Sequence, residues 1–232
     1  LESKYLYAGL LLFSAAYPLA QSFERRLRYY KQWKHLALGV GLVLVIFVPW
    51  DIMFTKYDVW WFNERYTSGL KIWLLLIEEW WFFIIVPFAC VFIYEALNYF
   101  VKADLPKKVA NGVAWLLSGL FLAVAVAYYD QVYTCITFAL AGFLLLLVAL
   151  LKPKWTARFL MLYAVSWLPF LLINGILTGM ATEAPVVSYN EAEIIGNRIL
   201  TIPIEDVVYN LSMRLIVIAI YEKSRSRNGL PH

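Results

Sequence analysis

The sequence predicts an all-α, polytopic membrane protein with seven transmembrane helices, arranged as two parallel three-helix repeats joined by a linker helix. Three observations lead there. Of the 232 residues 62% are hydrophobic and only 16% charged, too apolar for an ordinary soluble domain of this length. Seven apolar segments each approach the ~20 residues that a spanning helix needs. A stretch in the first half of the chain also recurs in the second.

The segments are 5–20, 36–54, 72–97, 109–129, 131–151, 158–180 and 203–222. The first is short. It ends in YPLAQSFERR, a charged turn without a small-residue cleavage site, so no cleaved signal is expected there. The second contains Gly39 and Gly41, a GxG with no strand before it, which suits helix packing better than dinucleotide binding. The third carries two adjacent glutamates inside LLLIEEWWFF. The sixth holds LINGILTG, and the seventh opens on TIPIEDVVYN, where Pro203 suits a first helical turn.

Charge placement fixes the expected orientation. Arg25, Arg26, Arg28, Lys31 and Lys34 follow the first segment, Lys102, Lys107 and Lys108 the third, Lys152, Lys154 and Arg158 the fifth, and Lys223, Arg225 and Arg227 the seventh. That is fourteen of the twenty basic residues on one side, so the positive-inside rule places the N-terminus outside and the C-terminus in the cytoplasm. An odd number of spans agrees with this. Clusters of this kind set topology, and no nucleic acid is expected as a partner. Cys90 and Cys135 sit in apolar segments as small core residues. His35 is interfacial and His232 terminal, so no metal site is expected.

The repeat is ungapped. FNERYTSGLKIWLLLIEEWWFFIIVPFACVFIYE at 62–95 aligns with YNEAEIIGNRILTIPIEDVVYNLSMRLIVIAIYE at 189–222, at an offset of 127. Asn63 meets Asn190, Glu64 Glu191, Gly69 Gly196, Glu78 Glu205 and Glu95 Glu222, while Glu79 faces Asp206. Residues 1–101 then form the first three-helix repeat, 102–130 the linker span and 131–232 the second repeat. The linker is what lets both repeats share one orientation, with the pseudo-axis along the membrane normal.

Paired acids are costly in a membrane, at about 2.5–3.5 kcal/mol for each charge near the helix centre. Glu78, Glu79, Glu205 and Asp206 are either helix-start acids that meet the dipole or a functional cluster. Glu78 lies nearly two turns into its apolar run, which favours the cluster. Neighbours on a helix point ~100° apart, so one acid of each pair faces the repeat interface and the other an adjacent helix or cavity. Glu78 opposite Glu205 would put a neutral acid beside an ionised partner, the equipment for giving and taking a proton in an apolar pocket.

Candidate substrate-binding residues surround these acids. Asp51 and Asn174 hold comparable places at the outer ends of the second and sixth segments. Trp80, Trp81, Phe82 and Phe83 are either an aromatic belt or, for a ring that faces the pocket, π-faces that stabilise a transient cation, with Trp80, Trp81 and Phe83 as the binding candidates. Arg214, inside the seventh segment, is either a counter-ion to a pocket acid or a snorkelling group. Glu95 and Glu222 close the paired IYE motifs, where a structural interfacial role is expected.

In these motifs the chain resembles the membrane-integral, heterodimer-type lycopene cyclases of carotenoid synthesis, in a fused single-chain form. TIPIEDVVYN and LLLIEEWWFF match the family's Pro-x-Glu-Glu pattern, and VWWFNE, LINGILTG, the IYE pair and YPLAQSFERRLRYYKQWK fit as well. The resemblance implies a redox-neutral conversion of the linear ψ-ends of lycopene to β-rings, giving γ-carotene and then β-carotene. A carboxylic acid protonates the terminal alkene, its neighbour attacks the cation, and a base removes a ring proton. The resemblance implies no cofactor, a lipophilic carotenoid substrate and the bacterial cytoplasmic membrane, and it leaves the oligomeric state open. The family's acids fall on Glu78, Glu79, Glu205 and Asp206. Leu76 stands where the first motif would have proline, and Asp206 is one methylene short, so Glu205 is the safer choice in its repeat.

The rival from another class is a small-solute transporter with three-plus-one-plus-three parallel repeats, against which the polar residues gather toward one side. A retinal protein would need a lysine in the seventh segment, and a cation-dependent prenyl transferase would need aspartate-rich loops. Neither is present in the sequence.

Overall fold

The computed structural model describes residues 3–227, so the terminal His232 lies outside the described residues. Among the described residues there are eight α-helices: α1 (Leu6–Gln21), α2 (Trp33–Lys56), α3 (Ile77–Phe100), α4 (Lys107–Ala127), α5 (Val132–Leu151), α6 (Thr156–Val165), α7 (Trp167–Leu177) and α8 (Ile204–Arg227). Four of them, α2 to α5, are long and apolar enough to cross a membrane, and α6 with α7 makes a fifth span if counted as one bent unit.

The expected sixth helix is therefore broken. α6 and α7 meet at 47° around Ser166. Pro169 accounts for this, because it has no N–H to donate to the carbonyl four residues back and its ring crowds that carbonyl. The Ser166 hydroxyl turns back onto the carbonyl of Tyr163 at 2.9 Å. α1 spans only 16 residues. α8 is long but carries Glu205, Asp206, Arg214 and Glu222, all buried. Its neighbours explain that composition. α2, α3, α5 and α6 all pack against it, so α8 is a central helix whose surroundings are protein rather than lipid. Gly39 on α2 lets the two backbones close up, since a Cβ there would stand 3.1 Å from the carbonyl oxygen of Val217.

Short hairpins cap the helices at one face. β2 (Lys71–Ile72) pairs with β3 (Leu75–Leu76) and leads into α3, while β5 (Arg198–Ile199) pairs with β6 (Ile202–Pro203) and leads into α8. These elements recur at the 127-residue offset, down to the left-handed glycines before each hairpin, Gly69 (φ 78°) and Gly196 (φ 80°). Leu76 and Pro203 occupy the same last strand position, so the missing proline leaves the start of α3 unchanged. An antiparallel ribbon lies between the hairpins. In it β1 (Trp60–Phe62) pairs with β4 (Val187–Tyr189), with Trp61 opposite Ser188. The backbone bonds at its ends are reciprocal: Asn63 N–H to Val186 O at 2.8 Å and Asn190 N–H to Val59 O at 2.9 Å.

The opposite face is basic. There Arg225 joins the two IYE acids, at 2.5 Å from Glu95 and 3.9 Å from Glu222, and the rings of Tyr94 and Tyr221 meet edge to face at 6.3 Å. This is the structural position expected for those glutamates.

Candidate active site

The two acids of each pair part company at the helix start. Glu78 accepts the backbone N–H of Ser68 at 2.7 Å, and Glu205 accepts that of Ile195 at 2.9 Å together with the Thr134 hydroxyl at 2.6 Å. Each thus clasps the loop before its own hairpin. The expected opposition of Glu78 and Glu205 is not found, and the reason is local. The first-turn acid nearest the hairpin satisfies backbone donors that would otherwise be buried unpaired. Glu78→Ala is accordingly expected to destabilise the hairpin end of α3 by about 1–3 kcal/mol, read as a lower melting temperature in detergent.

The next residue on each helix, ~100° around, points inward. Glu79 and Asp206 line one buried pocket with Asp51 and Asn174. α2 delivers Asp51, α3 Glu79, α7 Asn174 and α8 Asp206, so four helix ends converge beneath the β1–β4 ribbon. The Glu79 carboxyl lies beside the Tyr7 hydroxyl and the Asp51 carboxyl, and the three groups interact at one corner of the pocket. Asp51 also accepts from the Tyr209 hydroxyl at 3.2 Å. Asp206 has three donors: Tyr133 at 2.7 Å, Tyr189 at 2.6 Å and the Asn174 amide at 2.8 Å.

The two carboxyl sites therefore differ in kind. Asp206 is surrounded by donors and is satisfied as an anion. Glu79 has a second carboxyl beside it, an acceptor where Asp206 has donors. Tyr189, on the ribbon outside the helices, has its hydroxyl pushed well above the usual phenol range by burial and by the Asp206 charge, so it remains a donor at neutral pH.

Of the predicted binding residues, Asp51 and Asn174 are in the pocket, while the aromatic ones are not. Phe83 is sealed in the core against Phe47, Trp80 leans on Trp73 at 6.0 Å, and Trp81 is half exposed on the outer surface. The π-faces of the pocket belong instead to Trp60, Phe62, Phe82 and the four tyrosines. Of the four aromatic residues after Glu79, the one that faces the pocket is Phe82, which the sequence does not single out as a binding residue, and Tyr209, aligned with it at the repeat offset, is not foreseen. Arg214 is neither counter-ion nor snorkelling group. It is buried between the rings of Tyr163 (5.7 Å) and Phe170 (5.6 Å) and donates to the Ser166 hydroxyl at 2.7 Å, bracing the α6–α7 bend.

The pocket holds about 60 Å³. It borders a larger apolar cavity of about 370 Å³ between α1, α3, α7 and α8, with Phe82, Asn174 and Asn210 common to both. Phe82 stands at the junction. Phe82→Trp is expected to narrow the passage and slow turnover by about ten- to a hundredfold, measured as product formed per unit of membrane protein, with little change in melting temperature.

Comparison with family models matches residues 4–97 and 130–224 to one family, described as Lycopene cyclase. The two matched stretches omit the end of α3, the following loop and the whole of α4. Comparison with curated proteins and with solved structures finds no match.

Proposed function

Because the chain belongs to the lycopene cyclase family, whose activity is the cyclisation of lycopene in a membrane setting, we propose that it forms β-rings at the ψ-ends by acid–base chemistry in the pocket of Glu79 and Asp206. The observation that carries this reading is the unequal pair facing the same apolar space, Glu79 with a second carboxyl beside it and Asp206 with three hydrogen-bond donors, an arrangement suited to a shared proton at the first and a negative charge at the second. In the proposed reaction the Glu79–Asp51 pair gives its proton to the terminal alkene. A tertiary cation forms, the neighbouring alkene attacks it, and the ring closes. Trp60, Phe82 and the tyrosine rings offer π-faces to the cation. Asp206 then removes a ring proton; the proton it gains equals the one the pair lost, so the step is redox-neutral, and that proton must pass back from Asp206 to the Glu79–Asp51 pair before the next turnover. Which ring proton is removed decides between β- and ε-rings; in the proposed reaction the β-ring forms, and γ-carotene precedes β-carotene. The activity is that of an isomerase-class intramolecular lyase.

The proposed arrangement in the membrane keeps the boundaries drawn from the sequence: a three-helix repeat at 1–101, a linker at 102–130 and a second repeat at 131–232. α1 and α8 complete seven spans, with the N-terminus outside and the basic face in the cytoplasm of a bacterium. The central place of α8 supports this, since a helix sheathed by other helices needs no lipid-compatible surface. Expression in a bacterial host that accumulates lycopene tests the activity. β-Carotene in the pigment extract is the expected result, and unchanged lycopene beside abundant membrane-located protein would overturn the reading.

A further inference from the structure

The apolar cavity beyond Phe82 does not stop there. At Tyr17, Phe92 and Ile93 it runs into a further cavity of about 520 Å³ toward the basic face. One stripe of α3 floors the whole furrow, with Phe82, Val86, Ala89, Ile93, Ala96 and Phe100 succeeding one another at steps of three or four residues. From Phe82 to Phe100 the helix rises about 27 Å at 1.5 Å per residue, close to the ~30 Å hydrocarbon thickness of a bilayer.

The pseudo-equivalent position is closed. At the 127-residue offset the pocket-side half of the floor, Phe82, Val86 and Ala89, maps onto Tyr209, Met213 and Ile216 of α8, all buried. There Phe47 of α2 packs between Phe83 (6.0 Å) and Tyr209 (5.0 Å). The open side is the one where α6 and α7 bend at Ser166. Among the described residues, the duplicated pocket thus adjoins one such furrow.

Resting on the cyclase reading, we infer that the linear C40 polyene lies in this furrow as an extended rod, one ψ-end in the pocket and the other at the basic face, so that one end is cyclised per encounter and the one-ring carotene must leave and re-enter reversed. The occupant follows from the furrow itself. It is long and mostly apolar, and it adjoins the acid pocket, with which it shares Phe82, Asn174 and Asn210. Among the described residues, its far end has no second acid pocket. Glu24 there caps the backbone N–H groups of Arg26 and Leu27 at 2.8 and 3.0 Å on a partly exposed turn.

The test uses the intact protein in liposomes containing unlabelled lycopene, with an excess of carbon-13 lycopene added once the one-ring product has formed. Formation of unlabelled two-ring carotene should fall in proportion to the added competitor, because the free intermediate competes for re-entry. Unlabelled two-ring product continuing at its earlier rate would overturn the inference. If nothing is cyclised before the chase, the cyclase reading itself fails. A second measurement narrows the far end of the furrow with Ala96→Trp, away from the acid pocket. A slender ψ-end still passes there but a finished ring does not, so the one-ring to two-ring ratio should rise about tenfold. A ratio equal to that of the unaltered protein would equally overturn the one-end reading.

Discussion

Glu79→Gln is expected to abolish cyclisation while leaving the protein folded. The amide keeps the shape of the side chain and still donates to Asp51, so the packing of α1, α2 and α3 around it survives. What it loses is the transferable proton. General acid catalysis is worth about 10²–10⁴ in rate, and protonation of an unactivated alkene has no donor of comparable acidity elsewhere in this pocket, so the loss should lie at the upper end. Pigment analysis of lycopene-accumulating cells, normalised to membrane-located protein, reads it directly. The contrast that matters is with its neighbour. Glu78→Gln retains an oxygen for the Ser68 N–H and should keep most of the activity. If the two variants are equally impaired, the division of labour between adjacent acids is wrong.

Asp206→Asn is expected to damage both activity and stability. The carboxylate accepts from Tyr133, Tyr189 and Asn174 at once, and an asparagine offers one acceptor oxygen and presents an NH₂ where a donor already stands. Each buried donor left unpaired costs about 1–3 kcal/mol, so the melting temperature in detergent should drop along with the activity. Asp206→Glu separates the two effects. It restores the negative charge with one more methylene, and partial recovery of turnover without full recovery of stability is the expected outcome. Complete activity in Asp206→Asn would remove this residue from the role of base.

Much of this is legible in the chain, and the gaps have physical causes. The alignment of 62–95 with 189–222 names every pocket acid except Asp51, and Asp51 emerges from its resemblance in position to Asn174. What the residues alone do not tell is which acid of each pair faces inward. That choice is made by the loop before each hairpin, whose unpaired N–H at Ser68 or Ile195 captures the first glutamate and leaves the second free. The aromatic prediction fails for a related reason. LLLIEEWWFF draws attention to its tryptophans, but a helix buries one face, and Phe82 alone of Trp80, Trp81, Phe82 and Phe83 shares the orientation of the pocket. Tyr7, Tyr133 and Tyr189 come from three separate elements, and only their closeness in space makes them a set. The break at Ser166 does have a mark in Pro169, but Pro18, Pro49 and Pro87 sit inside helices that continue past them, so a proline by itself does not foretell a kink.

The β1–β4 ribbon has a consequence for how such a chain can be divided. Trp61 lies opposite Ser188, its own counterpart at the repeat offset, and the flanking bonds from Asn63 and Asn190 exchange places under the same rotation. A strand that pairs with its own equivalent makes an isologous contact, the kind that two separate copies of a half-length polypeptide would use to find each other. Covalent continuity is then incidental to recognition. Cutting the exposed 103–106 loop and expressing the two pieces side by side should yield a complex held at one face by this ribbon and at the other by the clasp of Arg225 on Glu95.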